Sequence, residues 1–127
     1  MPRRIDGIPV KQKAHALHLV GAARNVNPTS KGEEVMHLIV RYKNGDVVNH
    51  PFRLGTDLGD WWLDVLASDE NLVWVGSNPS ARAVGNDIGV YHMKWENPRP
   101  DEPIEFVDFV SLDRGGAPFI LALTAEP

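Results

Sequence analysis

Residues 34–54, EVMHLIVRYKNGDVVNHPFRL, decide the fold. Met36, Leu38, Val40 and Tyr42 form one apolar alternation, and Val48, His50, Phe52 and Leu54 form a second. A period of two is the signature of a half-buried strand, and the intervening Asn44-Gly45 marks a hairpin. A two-residue loop would pair Tyr42 with Val47 and place the two apolar rows on opposite faces. A three-residue loop, Lys43-Asn44-Gly45, pairs Tyr42 with Asp46 and brings the rows together. It also sets Gly45 at a left-handed position, where glycine costs least. A one-residue slip flips every side chain, so the three-residue loop is the expected register. That register sends His50 to the buried face and His37 to the other, beside Ile39 and Arg41, so the two cannot share a metal ion.

Outward from this hairpin the same short runs recur. Strands are expected at Ala14–Gly21, Glu34–Tyr42, Asp46–Leu54, Leu72–Val75, Gly89–Glu96, Ile104–Leu112 and Phe119–Ala125. Ten prolines and eleven glycines punctuate them, as many short strands require. Only Leu58–Leu66 offers a short helical turn, with Asp57 as its N-cap. The last two runs are apolar at nearly every position, which predicts strands covered on both sides and a C-terminal pair at the centre of the core. Asp108 interrupts the first of them and needs a partner or a strand edge. The expectation is an all-β, antiparallel two-sheet β-sandwich, a single domain over residues 1–127.

Composition narrows the function. With 13 basic and 17 acidic residues the net charge is −4, so no basic surface is offered to nucleic acid or anionic lipid. The absence of cysteine removes disulfides, thiolate metal sites and a cysteine nucleophile. No apolar run reaches the roughly 18 residues of a membrane span, and Met1–Gly7 lacks the apolar stretch of a signal peptide. The expected setting is cytoplasmic, or extracellular or periplasmic if the chain is a piece of a longer exported protein.

Chemistry-bearing motifs are sparse. His15, His18, His37, His50 and His92 are scattered, with no His-x-His or His-Glu-x-x-His pattern, and on a strand His15 and His18 point to opposite faces. Asp57, Asp60 and Asp64 are spaced for one side of a helical turn, which makes Asp57 and Asp60 the candidate oxygen ligands for a structural calcium. Capping and helix-end charge explain the same residues. No nucleophile elbow or phosphate-binding glycine loop occurs. The aromatic residues remain. Trp61, Trp62, Trp74 and Trp95 fall within 35 residues, each in a polar, turn-forming phrase. Alternation on the strand Gly89–Glu96 assigns Trp95 to the core, and Trp74 is assigned likewise. Adjacent Trp61 and Trp62 cannot both point inward, so at least one is expected to face solvent, where an indole stacks on the C–H face of a sugar. Asp60, Asn78 and Arg82 are the candidate hydrogen-bonding partners for its hydroxyls.

These phrases together carry a resemblance. Asp60-Trp61-Trp62, Val73-Trp74-Val75-Gly76-Ser77-Asn78-Pro79, Tyr91-His92-Met93-Lys94-Trp95-Glu96-Asn97-Pro98 and Val107-Asp108-Phe109-Val110-Ser111 resemble the galactose-binding-like, jelly-roll modules of large bacterial glycan-processing and surface proteins. The resemblance spans roughly residues 8–126. It implies a non-catalytic accessory role, plausibly in binding a polysaccharide or oligosaccharide without a cofactor, and a further strand or two upstream of Ile8. A module lacking such a strand would carry an open sheet edge, so the alternative is a protein–protein or self-assembly module, a homo-oligomer through that edge. A metal-dependent enzyme built on the acidic and histidine residues is the third reading.

Overall fold

A computed structural model describes residues 3–63, 71–85 and 87–127. Eight strands are formed among them: β1 (Arg4–Gln12), β2 (Ala16–Arg24), β3 (Glu34–Tyr42), β4 (Val47–Arg53), β5 (Leu72–Gly76), β6 (Ile88–Glu96), β7 (Ile104–Ser111) and β8 (Ala117–Glu126). They make two four-stranded antiparallel sheets, ordered β1-β7-β3-β4 and β5-β6-β2-β8. The chain is a two-sheet β-sandwich. Helical content among the described residues is a 3₁₀ turn at Pro28–Ser30 and the short α1 (Pro79–Ala83). No helix among the described residues is long and apolar enough to cross a membrane.

The β3–β4 hairpin has the expected register. The Tyr42 amide donates to the Asp46 carbonyl at 2.9 Å, the Gly45 amide to the Tyr42 carbonyl at 3.0 Å, and Gly45 has φ 95°. Met36, Leu38, Val40 and Tyr42 are consequently buried with Phe52, while His50 sits edge-on against Phe52. Partial burial holds the His50 pKa below the usual imidazole range, and Asp57 only partly offsets that. From the facing sheet, Leu17 and Leu19 of β2 and Tyr91, Met93 and Trp95 of β6 complete the core. Tyr42 closes one end: its hydroxyl donates to Asn97 Oδ1 at 2.6 Å, and Asn97 Nδ2 donates to the Ala14 carbonyl at 2.7 Å.

Three expectations need correction. β1 was not anticipated, because Gly7, Pro9, two breaks of register and three charged side chains erase any alternation. The C-terminal strands do not form a pair. β7 is interior, between β1 and β3, whereas β8 is an edge strand of the other sheet and leaves Leu121 64% exposed. Finally, Leu58–Leu63 is not helical, and residues 64–66 lie outside the described residues. Here Asp57 caps a tight turn instead, accepting from the Arg53 amide at 2.7 Å, and the Gly55 amide returns to the Leu58 carbonyl at 2.8 Å. The amides of Trp61 and Leu63 bond to other strands and segments, so none is left for a helical ladder.

Asp108 finds its partners on the outer face of the first sheet. Its carboxylate, 2% exposed as a residue, accepts from Arg41 Nε at 2.8 Å, the Gly7 amide at 2.8 Å and Arg4 at 3.3 Å. Desolvation raises its pKa, but the Gly7 amide and the two guanidinium groups outweigh it and hold the group below the usual carboxylate range. A depressed folded pKa contributes stability above the unfolded value near 4 and loses it as pH falls through the folded value. Asp108→Asn should therefore cost about 1–3 kcal/mol at neutral pH. In thermal melts the gap from the unmutated protein should be full at pH 6 and close progressively below about pH 4.

Candidate functional site

The segment from Gly59 to Leu63 lies between the end of β2 and the start of β6. The Gly59 carbonyl accepts from the Ala23 amide at 3.0 Å, and the Trp61 amide donates back to the Ala23 carbonyl at 2.9 Å. On the other side the Gly89 amide donates to the Trp61 carbonyl at 2.8 Å, and the Leu63 amide to the Asp87 carbonyl at 3.2 Å. Both backbone groups of Trp61 are thus fixed by neighbouring segments. The adjacent indoles take different sides. Trp61 packs against the core and meets Phe119 edge-to-face at 6.1 Å. Trp62 bridges to Ile88, which is buried on the outer side of the sheet, away from the inter-sheet core.

Between them opens a cleft of about 460 Å³, lined by Arg24, Asn25, Trp61, Trp62 and Phe119. This is within the size range of small-ligand sites, roughly 300–1,000 Å³. Arg24 ends β2, and Asn25 turns the chain with a left-handed φ of 52°, a conformation that asparagine tolerates better than most residues. The described lining thus combines aromatic faces with one side-chain amide and one guanidinium.

Of the five binding residues expected from the sequence, the structure brings Trp61 and Trp62 together in the cleft wall. Asp60 lies beneath them, 5% exposed. Its carboxylate accepts from the Val26 amide at 3.1 Å and the Trp62 amide at 2.7 Å, and its carbonyl accepts from the Tyr91 hydroxyl at 3.1 Å. Asp60 therefore positions the platform from below. Asn78 and Arg82 are not in the lining. Asn78 Oδ1 caps α1 by accepting from the Ala81 amide at 2.7 Å, and Arg82 is exposed on the same short helix. Arg24, Asn25 and Phe119 take their places, a substitution that only the long-range β2–β8 pairing produces.

Trp74 departs from expectation too. It is half exposed, whereas Trp95 is buried as expected. Gly76 pairs with Ile88, which bridges Trp62, so all three project to one face. Trp74, two residues before Gly76, shares that face. Its indole folds back over Gly76, where an added Cβ would lie only 2.1 Å from the ring. Trp62 and Gly76, on which the Trp74 ring rests, thus flank Ile88 with their strand positions roughly 10 Å apart, two strand spacings.

For metal chemistry the geometry offers little. Asp57 and Asp60 are turned onto separate backbone amides, and no group of three or more His, Asp or Glu among the described residues is placed to hold an ion. His18 and His92 do meet, on adjacent strands, which sequence spacing could not show. Their nitrogens lie 2.7 Å apart in nearly coplanar rings, and His18 Nε2 lies 3.1 Å from Glu126. In that hydrogen bond one of the facing nitrogens carries the proton and the other gives its lone pair to it, so neither is left free for a metal ion. No family model, curated protein or solved structure matches this chain.

Removing the buried Asp60 carboxylate should orphan the Val26 and Trp62 amides. Asp60→Ala is expected to cost about 1–3 kcal/mol in denaturant unfolding. Gly76→Ala should displace the Trp74 indole from its seat, raising its accessibility to acrylamide quenching with little loss of stability.

Proposed function

We propose that this domain is a non-catalytic carbohydrate-binding module that stacks a sugar ring on the Trp61–Trp62 cleft. The observation that carries the reading is the cleft itself: two backbone-anchored indoles and Phe119 beside an amide and a guanidinium. Stacking needs a flat apolar face, and the sugar's hydroxyls need fixed donors and acceptors nearby. Trp74 on the adjoining face adds a second stacking surface, so oligosaccharides should bind better than monosaccharides. The galactose-binding-like, jelly-roll affinity read from the sequence belongs to the same proposal, and the two-sheet sandwich is compatible with it.

Affinity electrophoresis against a panel of soluble polysaccharides tests this. Trp62→Ala should abolish retention on every glycan that the unmutated protein binds, with an unchanged melting temperature, since Trp62 lies outside the inter-sheet core. Trp61→Ala should lose binding and also destabilise the fold. Full retention by Trp62→Ala would overturn the assignment of this cleft.

One observation favours a second reading, self-association through β8. The other edges are blunted: β1 by charges, Pro9 and bulges, β4 by Pro51, and β5 by its five-residue length and a register break. β8 runs ten residues with no charge before Glu126; its proline, Pro118, lies near its start, and its one break of register falls at Leu121. An uncharged edge invites strand pairing. Light scattering separates the readings. A concentration-dependent dimer abolished by Leu121→Lys supports strand pairing, and a monomer at all concentrations excludes it.

A further inference from the structure

Among the described residues that line the cleft, Arg24 is the one charged side chain, and it has no ion-pair partner among the described residues. Of the eight arginines among the described residues, six are ion-paired: Arg3 with Asp113, Arg4 with Asp6 and Asp108, Arg41 with Asp108, Arg53 and Arg114 with Glu34, and Arg99 with Asp46. Arg24 and Arg82 are the two without a carboxylate among the described residues, and only Arg24 lines the cleft. In a chain with 17 acidic residues against 13 basic ones, a guanidinium left free beside two indoles is a local reversal of the prevailing charge. The nearby Asp60 carboxylate lies beneath the platform and accepts from the Val26 and Trp62 amides.

Resting on the saccharide reading above, we infer that the cleft selects an acidic saccharide. Arg24 pairs with an oxyanion, a carboxylate or a sulfate ester, on the ring that stacks against the indoles. The guanidinium is planar and presents parallel N–H donors, so it binds either oxyanion through two hydrogen bonds at once. Its backbone is fixed where β2 pairs with β8 at Ala117, and only its side chain must order on binding. The neighbouring aromatic surface excludes water from one side of the pair, which strengthens the attraction relative to an exposed ion pair. A neutral sugar would stack equally well but leave the guanidinium without its counter-charge.

The test uses titration calorimetry on the intact chain with three probes: an oligogalacturonide, its methyl-esterified counterpart, and a sulfated galactan oligosaccharide. Esterification keeps the ring and removes the charge. The acidic probe should bind about tenfold or more tightly than its ester, a preference that weakens with added salt. Arg24→Gln should erase that preference, bringing acid and ester to the same affinity, and Arg24→Lys should restore part of it. Because Arg24 is exposed, its variants should melt with the unmutated protein, which the same samples report. Comparing the galacturonide with the sulfated probe assigns the oxyanion as carboxylate or sulfate. Equal binding of acid and ester, unchanged by Arg24→Gln, would overturn the inference while leaving the saccharide reading in place. If no probe binds at any concentration tested while a neutral glycan is retained, the inference alone fails. If no glycan of either kind is retained, both readings fall.

Discussion

The hydrogen bonds that Asp60 accepts organise the end of the sandwich on which the cleft sits. A buried carboxylate is tolerated only where donors meet it, and the Val26 and Trp62 amides supply them. Val26 follows β2 and Trp62 precedes β5, so a single side chain couples two segments far apart in sequence. The Tyr91 hydroxyl, donated from β6 to the Asp60 carbonyl, adds a third. This node adds to the four backbone hydrogen bonds that hold the segment carrying the two indoles between β2 and β6. The cleft floor is therefore part of the fold's own hydrogen-bond network.

The two outer faces solve different problems. On the sheet β1-β7-β3-β4, the buried carboxylate of Asp108 joins β1 and β3 through the strand between them, because Arg4 and Arg41 approach it from either side. A charge at the centre of that face discourages sheet stacking and fixes the bulged β1 in place. On the other sheet, Ile88 and Val90 of β6 are buried outside the inter-sheet core, with Trp62 and Trp74 beside them. Electrostatics covers one face and aromatic rings the other.

How much of this the sequence disclosed follows from the range of each interaction. The β3–β4 register was legible because everything that sets it lies within 21 residues: two alternations and a glycine that takes a positive φ. Trp95 was legible for the same reason, sharing an uninterrupted alternation with Tyr91 and Met93. Trp74 was not, since β5 is short and breaks register between Leu72 and Trp74, and a break shifts the face on which a side chain emerges. The start of α1 was in plain view as Asn78-Pro79, an N-cap followed by proline at the first helical position. It went unused because five residues leave no periodicity to detect. Asp57 offered a cap signal too, but the following amides were claimed by β2 and by residue 87. Local preference lost to long-range pairing. Arg24 and Phe119 carried no signal at all, because their place in the cleft depends on which strands become neighbours.

A cleft built this way has a consequence for recognition. Loops that order around a ligand lose conformational freedom on binding, and that loss subtracts from affinity. Here the backbone on both sides of Trp61 is hydrogen-bonded in the absence of any ligand, and the Trp74 ring already rests on Gly76. The aromatic surfaces are in position beforehand, so their contribution is not offset by ordering the main chain. The Arg24 side chain is long, exposed and without an ion-pair partner among the described residues. Under the saccharide proposal above, the aromatic floor would meet the sugar ring and the guanidinium at its rim would tell acidic rings from neutral ones. Discrimination would then depend on a single exposed group whose backbone is held by β8.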